Sequence, residues 1–69
     1  MELRQLNTFV LIAKHQSFSR AALELGYAQS SVTSQIQLLE KELNVRLFER
    51  LGHNITLTPE GKKLLPIAE

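Results

Sequence analysis

The sequence predicts a small, mainly α-helical domain with a β-hairpin between its third and fourth helices. Apolar residues recur every three or four positions through residues 3–14 and 28–43, as they do along one face of a helix. Between these segments, residues 20–25 followed by Gly26 predict a short second helix and its end. Residues 48–57 contain two short runs around a turn, which is typical of a hairpin. Three helices followed by such a hairpin form the winged helix-turn-helix layout.

The composition is that of one compact domain. Of the 69 residues, 43% are hydrophobic, which is enough for a small core and too many for a disordered chain. No apolar run could span a membrane, and no secretory signal pattern is present, so we expect a cytoplasmic protein. Cysteine is absent, which excludes disulfides and thiolate metal sites from support of the fold. Since the net charge is only +1, any basic surface for nucleic acid has to be local.

The first two helices are predicted from their apolar spacing and from the residues at their starts. Glu2 precedes the helix of residues 3–14, at a position where the helix dipole favours a negative charge. Ser19 is the predicted N-cap of the second helix. We expect Phe18 to pack against Leu23 as a hydrophobic staple.

The third helix has an unusual polar surface. Its apolar stripe contains Val32, Ile36, Leu39 and Leu43, and the residues opposite are Ser30, Ser34, Gln37 and Lys41. No charged residue lies between Glu24 and Glu40, whereas exposed helices normally carry Lys and Glu. Short uncharged side chains suit hydrogen bonding to base edges in the DNA major groove. An ordinary solvated helix rich in serine would show the same pattern.

The segment after the third helix predicts a wing and a fourth helix. Arg50 and His53 lie on or beside the hairpin, and residues 58–60 (Thr-Pro-Glu) form a typical helix start. The apolar side of this helix is Leu64, Leu65, Ile67 and Ala68. Pro66 is expected to bend or weaken it. Because the apolar pattern still runs at Glu69, we expect the chain to be part of a longer protein.

The sequence closely resembles the LysR-type transcriptional regulators of bacteria. The resemblance covers essentially all 69 residues, and its most specific segments are SFSRAALELG, SQIQLLEKELNVRLFER and LTPEG, in the family's order and spacing. It implies sequence-specific binding to double-stranded DNA, with the third helix (about residues 29–43) in the major groove. The wing (about residues 48–57) is expected to contact the minor groove or the backbone.

The resemblance also implies a division of the chain. Residues 1–58 would form the winged helix-turn-helix domain, and residues 59–69 would begin a truncated linker helix for dimerisation. The family's effector-binding domain, which would hold a small-molecule effector, is expected beyond residue 69. The domain itself is expected to need no cofactor or metal. The implied partners are an interrupted, AT-rich DNA palindrome and a second copy of the chain, as a homodimer or a higher homo-oligomer associated with the nucleoid.

Both the resemblance and the polar surface contribute to the predicted site. The predicted DNA-binding residues are Gln29, Ser30, Thr33, Ser34, Gln35, Gln37, Arg20, Arg50, His53 and Asn54, and the predicted dimerisation residues are Leu64, Leu65, Ile67 and Ala68. Relatives often have a capping Ser or Thr at the position of Ala28. They often have proline at the position of Ser30 and arginine at the position of Ser34. We therefore predict no side-chain cap on the third helix and weaker phosphate anchoring than in a typical relative.

Catalytic and metal-binding functions find no support in the sequence. His15 and His53 have no Cys, His or Asp partner at ligand spacing. The chain also has no nucleophile–base pair and no glycine-rich phosphate loop, so we predict that it is not an enzyme. The alternative to DNA binding is a winged-helix module that binds another protein through its Ser/Gln face. Salt dependence distinguishes the two, because contacts to phosphates weaken steeply with salt.

Overall fold

The structure is a computed structural model that describes residues 2–52 and 54–69, with Leu51 described by its backbone only. Its elements, in chain order, are α1 (Leu3–His15), α2 (Phe18–Leu25), α3 (Gln29–Leu43), β1 (Phe48–Leu51), β2 (Asn54–Leu57) and α4 (Pro59–Ala68). This order confirms the predicted fold class. No helix in the described part of the chain is long and apolar enough to cross a membrane.

Helix α1 is one residue longer than the sequence predicted. At its start, the Glu2 N–H donates to the side-chain oxygen of Gln5 over 3.1 Å, which satisfies a donor that the helix itself cannot. At its end, Gln16 has a φ of 53°, and its N–H donates to the Ile12 carbonyl. This left-handed residue ends α1 at His15 rather than at the predicted Lys14.

The prediction for the start of α2 was wrong by two residues. The N-cap is Ser17, whose hydroxyl accepts from the Arg20 N–H over 3.1 Å, and the helix begins at Phe18. Ser19 therefore lies inside the first turn. The predicted staple is also wrong, because Phe18 is buried in the core whereas Leu23 is 82% exposed. Burial of the Phe18 ring selects Ser17 over Ser19, and the local sequence does not contain that information.

The turn between α2 and α3 is the one predicted. Gly26 has a φ of 75°, a left-handed conformation that glycine adopts without strain, and it ends α2. Helix α3 then begins at Gln29. Ala28 precedes it without a side-chain cap, as predicted. A second left-handed residue, Asn44, ends α3.

The core lies where α1, α2 and α3 meet the hairpin. The three phenylalanines of the chain, Phe9, Phe18 and Phe48, are all buried. The Phe48 ring lies between the other two, with its centroid 5.3 Å from that of Phe9 and 5.7 Å from that of Phe18. The aliphatic part of the core is Ile12, Ala21, Ala22, Val32, Ile36, Leu39 and Leu47.

Thr58 joins the wing to α4. The two wing strands pair antiparallel, with Phe48 opposite Leu57. The Thr58 N–H donates to the Leu47 carbonyl over 3.0 Å, and the Thr58 hydroxyl donates to the Arg46 carbonyl. The same hydroxyl caps α4 by accepting from the backbone N–H two positions beyond Pro59. This confirms the predicted start of α4, and the helix continues through Pro66.

Candidate nucleic-acid interface

Helix α3 presents an uncharged polar surface to the solvent over residues 29–37. Its apolar stripe is buried at Val32, Ile36 and Leu39. The predicted contact residues on its other side are exposed at Gln29, Ser30, Ser34 and Gln37, and half-buried at Thr33. Their hydroxyl and amide groups can both donate and accept hydrogen bonds. This surface can therefore follow the donor and acceptor pattern of base edges without placing charge against them.

A cleft of about 330 Å³ lies between the wing and the first turns of α2 and α3. We call it the wing cleft. The residues that line it are Gln29 of α3, Ser19 of α2, and Arg50, Gly52 and Asn54 of the wing. Tertiary folding thus brings together three of the predicted contact residues, Gln29, Arg50 and Asn54. A glutamine side chain and a cation consequently line one surface.

The Arg50 guanidinium is held against an aromatic ring. Its central carbon lies 4.9 Å from the centroid of the Phe18 ring, within the range of a cation–π interaction. No carboxylate among residues 2–52 and 54–69 forms an ion pair with it. As far as the described residues are concerned, its N–H donors are available to an anion from outside the chain. Nothing in the sequence indicates that Phe18 contacts Arg50.

Arg20 lies apart from the wing cleft. It is exposed on α2 and lines a shallow hollow together with His15, Leu23 and Glu24. In that hollow, the His15 Nε2 and Glu24 Oε2 atoms are 2.7 Å apart, which ties the end of α1 to α2. If Arg20 contacts DNA, we expect it to bind a different phosphate from the one that binds in the wing cleft.

Gln35 has a partner inside the protein. Its side-chain oxygen accepts a hydrogen bond from the Thr8 hydroxyl over 2.7 Å, and Thr8 is fully buried in α1. This contact couples α1 to α3 and orients the half-buried Gln35 amide. The contact between Gln35 and DNA stays a prediction, and the structure adds a role for the residue in holding α3. Thr8 was not predicted, because its partner is far away in the sequence.

The remaining predicted residues lie in the wing tip and in α4. His53 lies outside the described residues. In α4, Leu64, Leu65 and Ala68 are half-buried and pack against the chain's own core, whereas Ile67 is 80% exposed. Leu3, at the start of α1, is 84% exposed and borders a hollow that Ala68 also lines. The dimerisation role of these α4 residues stays a prediction.

Across residues 2–52 and 54–69, no three His, Asp or Glu side chains are grouped so that they could hold a metal ion. The polar side of α3 and the wing cleft offer hydrogen bonding by Ser, Thr, Gln and Asn, together with the charge of Arg50.

The polar third helix and the wing beside its first turn define a winged helix-turn-helix protein. Residues 3–62 match the model of a protein family described as "Bacterial regulatory helix-turn-helix protein, lysR family". The chain therefore belongs to the lysR family of bacterial regulatory proteins.

Known proteins of this family are similar along the whole chain. The chain is 52% identical over 69 residues to the HTH-type transcriptional regulator YwqM of Bacillus subtilis, and it spans 24% of that protein's length. It is 44% identical to the protein in the crystal structure of a BenM_DBD/catB site 1 DNA complex, with a TM-score of 0.94 and coverage of 99% of this chain and 76% of that one. It is 40% identical to the protein in the CbnR_DBD–DNA complex, again with a TM-score of 0.94, over 99% of this chain and 78% of that one.

Proposed function

We propose that this chain is the sequence-specific double-stranded DNA-binding domain of a LysR-type transcriptional regulator. The observation that carries the proposal is the wing cleft, where Gln29 of α3 and Arg50 of the wing line one opening. DNA recognition needs both kinds of group, because phosphate contacts position the protein and base contacts specify the sequence. The similar BenM and CbnR domains were crystallised as DNA complexes, which supports the same activity here.

In the proposed complex, α3 lies in the major groove with its exposed polar side against the bases. The groove is about 12 Å wide and admits one helix. A glutamine amide can donate to N7 of adenine and accept from its N6 amino group, so Gln29 and Gln37 are the proposed adenine readers. Each such pair contributes about 1–3 kcal/mol of discrimination against a wrong base. Ser30, Thr33 and Ser34 are proposed to contact bases or sugar-phosphate groups at shorter reach.

The wing is proposed to contact the minor groove or the backbone beside α3. Arg50 supplies the positive charge, and Asn54 supplies an amide at the same opening. Because Ser30 and Ser34 carry no charge, few phosphates are neutralised from α3 itself. We expect binding to weaken with salt by about 0.9 log units per log unit of salt for each phosphate neutralised, with fewer phosphates neutralised than in a typical relative.

The whole protein is proposed to be a cytoplasmic, nucleoid-associated regulator without catalytic activity. We propose that it binds an interrupted AT-rich palindrome as a homodimer or a higher oligomer, and that α4 extends into the linker helix that joins the subunits. The exposed Ile67 is available for that contact. A small-molecule effector would bind to a part of the protein other than these 69 residues.

A titration of the ¹⁵N-labelled chain with an AT-rich duplex at low salt tests the proposal. We expect amide shifts to cluster at residues 29–37 and at Gly52 and Asn54, and to fade as salt is added. Arg50→Gln should weaken binding and reduce the salt slope by about one phosphate contact. Arg4→Gln is the matched control, since it removes the same charge from the start of α1, beside Ala68 and outside the wing cleft.

Two results would overturn this function. One is an equal effect of Arg50→Gln and Arg4→Gln, which would mean that only the net charge of the domain matters. The other is the absence of shifts at residues 29–37 with a dimeric, extended form of the protein. That second result would favour a protein partner for the Ser/Gln face.

A further inference from the structure

Phe18 and Arg50 contact each other across the wing cleft, although they belong to different elements. Phe18 is the first residue of α2, and Arg50 is in the middle of β1. The Phe18 ring is 6% exposed and lines the cleft together with Arg50. The contact therefore joins the base of the wing to the helix that precedes α3.

The Phe18 ring is itself held in place. Its edge-to-face contact with Phe48 has a ring–ring angle of 69°, and Phe48 is held in turn by Phe9. The backbone at Phe18 is fixed as well, because Ser17 caps the helix that begins there. Three packed rings thus form a rigid support that extends from the core to the Arg50 guanidinium.

We propose that Phe18 is a positioning residue for DNA binding. Its ring holds the Arg50 guanidinium at the wing cleft, so that the N–H donors meet a DNA phosphate next to the base that Gln29 reads. The inference rests on the proposed function and deepens it, since it identifies what orients the phosphate-binding cation. Phe18 itself need not touch the DNA.

The physical advantage is pre-organisation. A free arginine side chain loses much rotational freedom when it binds a ligand, and stacking on a ring removes part of that loss in advance. A guanidinium can rest one face on an aromatic ring and still donate hydrogen bonds from its edge. Since no described carboxylate pairs with Arg50, no ion pair has to break before a phosphate binds.

The first part of the test measures the free protein. Ring currents should shift the side-chain proton resonances of Arg50 upfield in the wild-type spectrum. Phe18→Leu should move them to ordinary positions, whereas Phe18→Tyr, which keeps the ring, should retain the shift. Phe9→Leu is the matched control, because it removes a ring from the same cluster without touching Arg50. An Arg50 resonance that is unshifted in the wild type would overturn the proposal.

The second part measures binding to a duplex at low salt in a double-mutant cycle. We expect Phe18→Leu to weaken binding by about two- to fivefold, the effect of one exposed cation–π contact. In an Arg50→Gln background, the same substitution should have almost no further effect, whereas a purely structural role would give additive losses. Rescue by Phe18→Tyr would support the proposal, and additive losses would overturn it.

The two parts separate this inference from the proposed function. If the ring-current shift is present but every variant binds DNA as the wild type does, the proposal that DNA binds at the wing cleft is refuted. The positioning role of Phe18 is then refuted as well. If Arg50→Gln weakens binding while Phe18→Leu does not, DNA binding stands and only the role of Phe18 is refuted. Urea unfolding of each variant would show that it is folded under the conditions of the binding assay.

Discussion

Gly61 lies in the first turn of α4, at the point where this helix meets the segment that leads into the wing. A Cβ atom at this position would collide with the backbone carbonyl oxygen of Leu47 and would lie 2.9 Å from Cδ2 of Leu57. The Leu47 carbonyl also accepts the hydrogen bond from the Thr58 N–H, so it cannot move without disturbing the junction between wing and helix. We therefore predict that Gly61→Ala destabilises the domain, although alanine is the better helix former.

The magnitude follows from two opposing effects. Overpacking typically lowers the free energy of unfolding by about 1–3 kcal/mol. Because the Leu47 backbone cannot easily move away, we expect a loss of about 2–3 kcal/mol at this site. In the opposite direction, alanine stabilises a helix by about 1 kcal/mol relative to glycine. The net loss should be about 1–2 kcal/mol, which lowers the Tm of a domain of this size by about 5–15 °C.

Thermal unfolding followed by circular dichroism measures this directly. Lys63→Ala, at an exposed position in the same helix, is the control and should change stability by less than about 0.5 kcal/mol. Amide shifts in Gly61→Ala should be largest around Leu47 and Thr58. A Gly61→Ala domain at least as stable as the wild type would refute the reasoning, because the clash would then cost no more than the gain in helix propensity.

Four further predictions concern other contacts. Gln29→Ala should relax preference at one base pair of each half-site by about 1–3 kcal/mol and leave non-specific binding nearly intact, as measured over single-base variants of the duplex. Thr8→Val should lower stability by about 1 kcal/mol in urea, since it removes the hydrogen bond to Gln35 while keeping the shape. Glu40→Ala should lower stability by about 1–3 kcal/mol in the same assay, because its carboxylate accepts from the Leu47 N–H over 2.7 Å. The chain should dimerise poorly by itself, so a tight dimer at micromolar concentration in sedimentation would contradict this expectation.

The helices and the wing were predictable because their signals are local. The predicted bounds of α3 and of the wing as a whole agree with the structure, as does the cap at Thr58. The start of α2 was not predictable to the residue. Ser17 and Ser19 are both good caps, and the choice between them depends on where the Phe18 ring packs.

The candidate site was predictable only in part. The polar side of α3 follows from helical spacing, so Gln29, Ser30, Ser34 and Gln37 were expected to be exposed, and they are. Gln35 was included among the contacts because of the family resemblance, and its bond to Thr8 became visible only in the fold. Arg20 and Arg50 look alike as surface cations in the sequence. The structure places Arg50 beside Gln29 and Arg20 in another hollow.

The sequence by itself determined which segments are helical, where the wing turns, and which side of α3 is polar and uncharged. These properties depend on residues within one or two helical turns of each other, and hydrophobic spacing and capping report on them directly. Only the tertiary structure decided that Phe18 supports Arg50, that Thr8 holds Gln35, and that Gly61 faces the Leu47 carbonyl. Each of these contacts joins two elements whose relative position is set by the packing of the whole core. The spacing of residues within one element does not predict that packing.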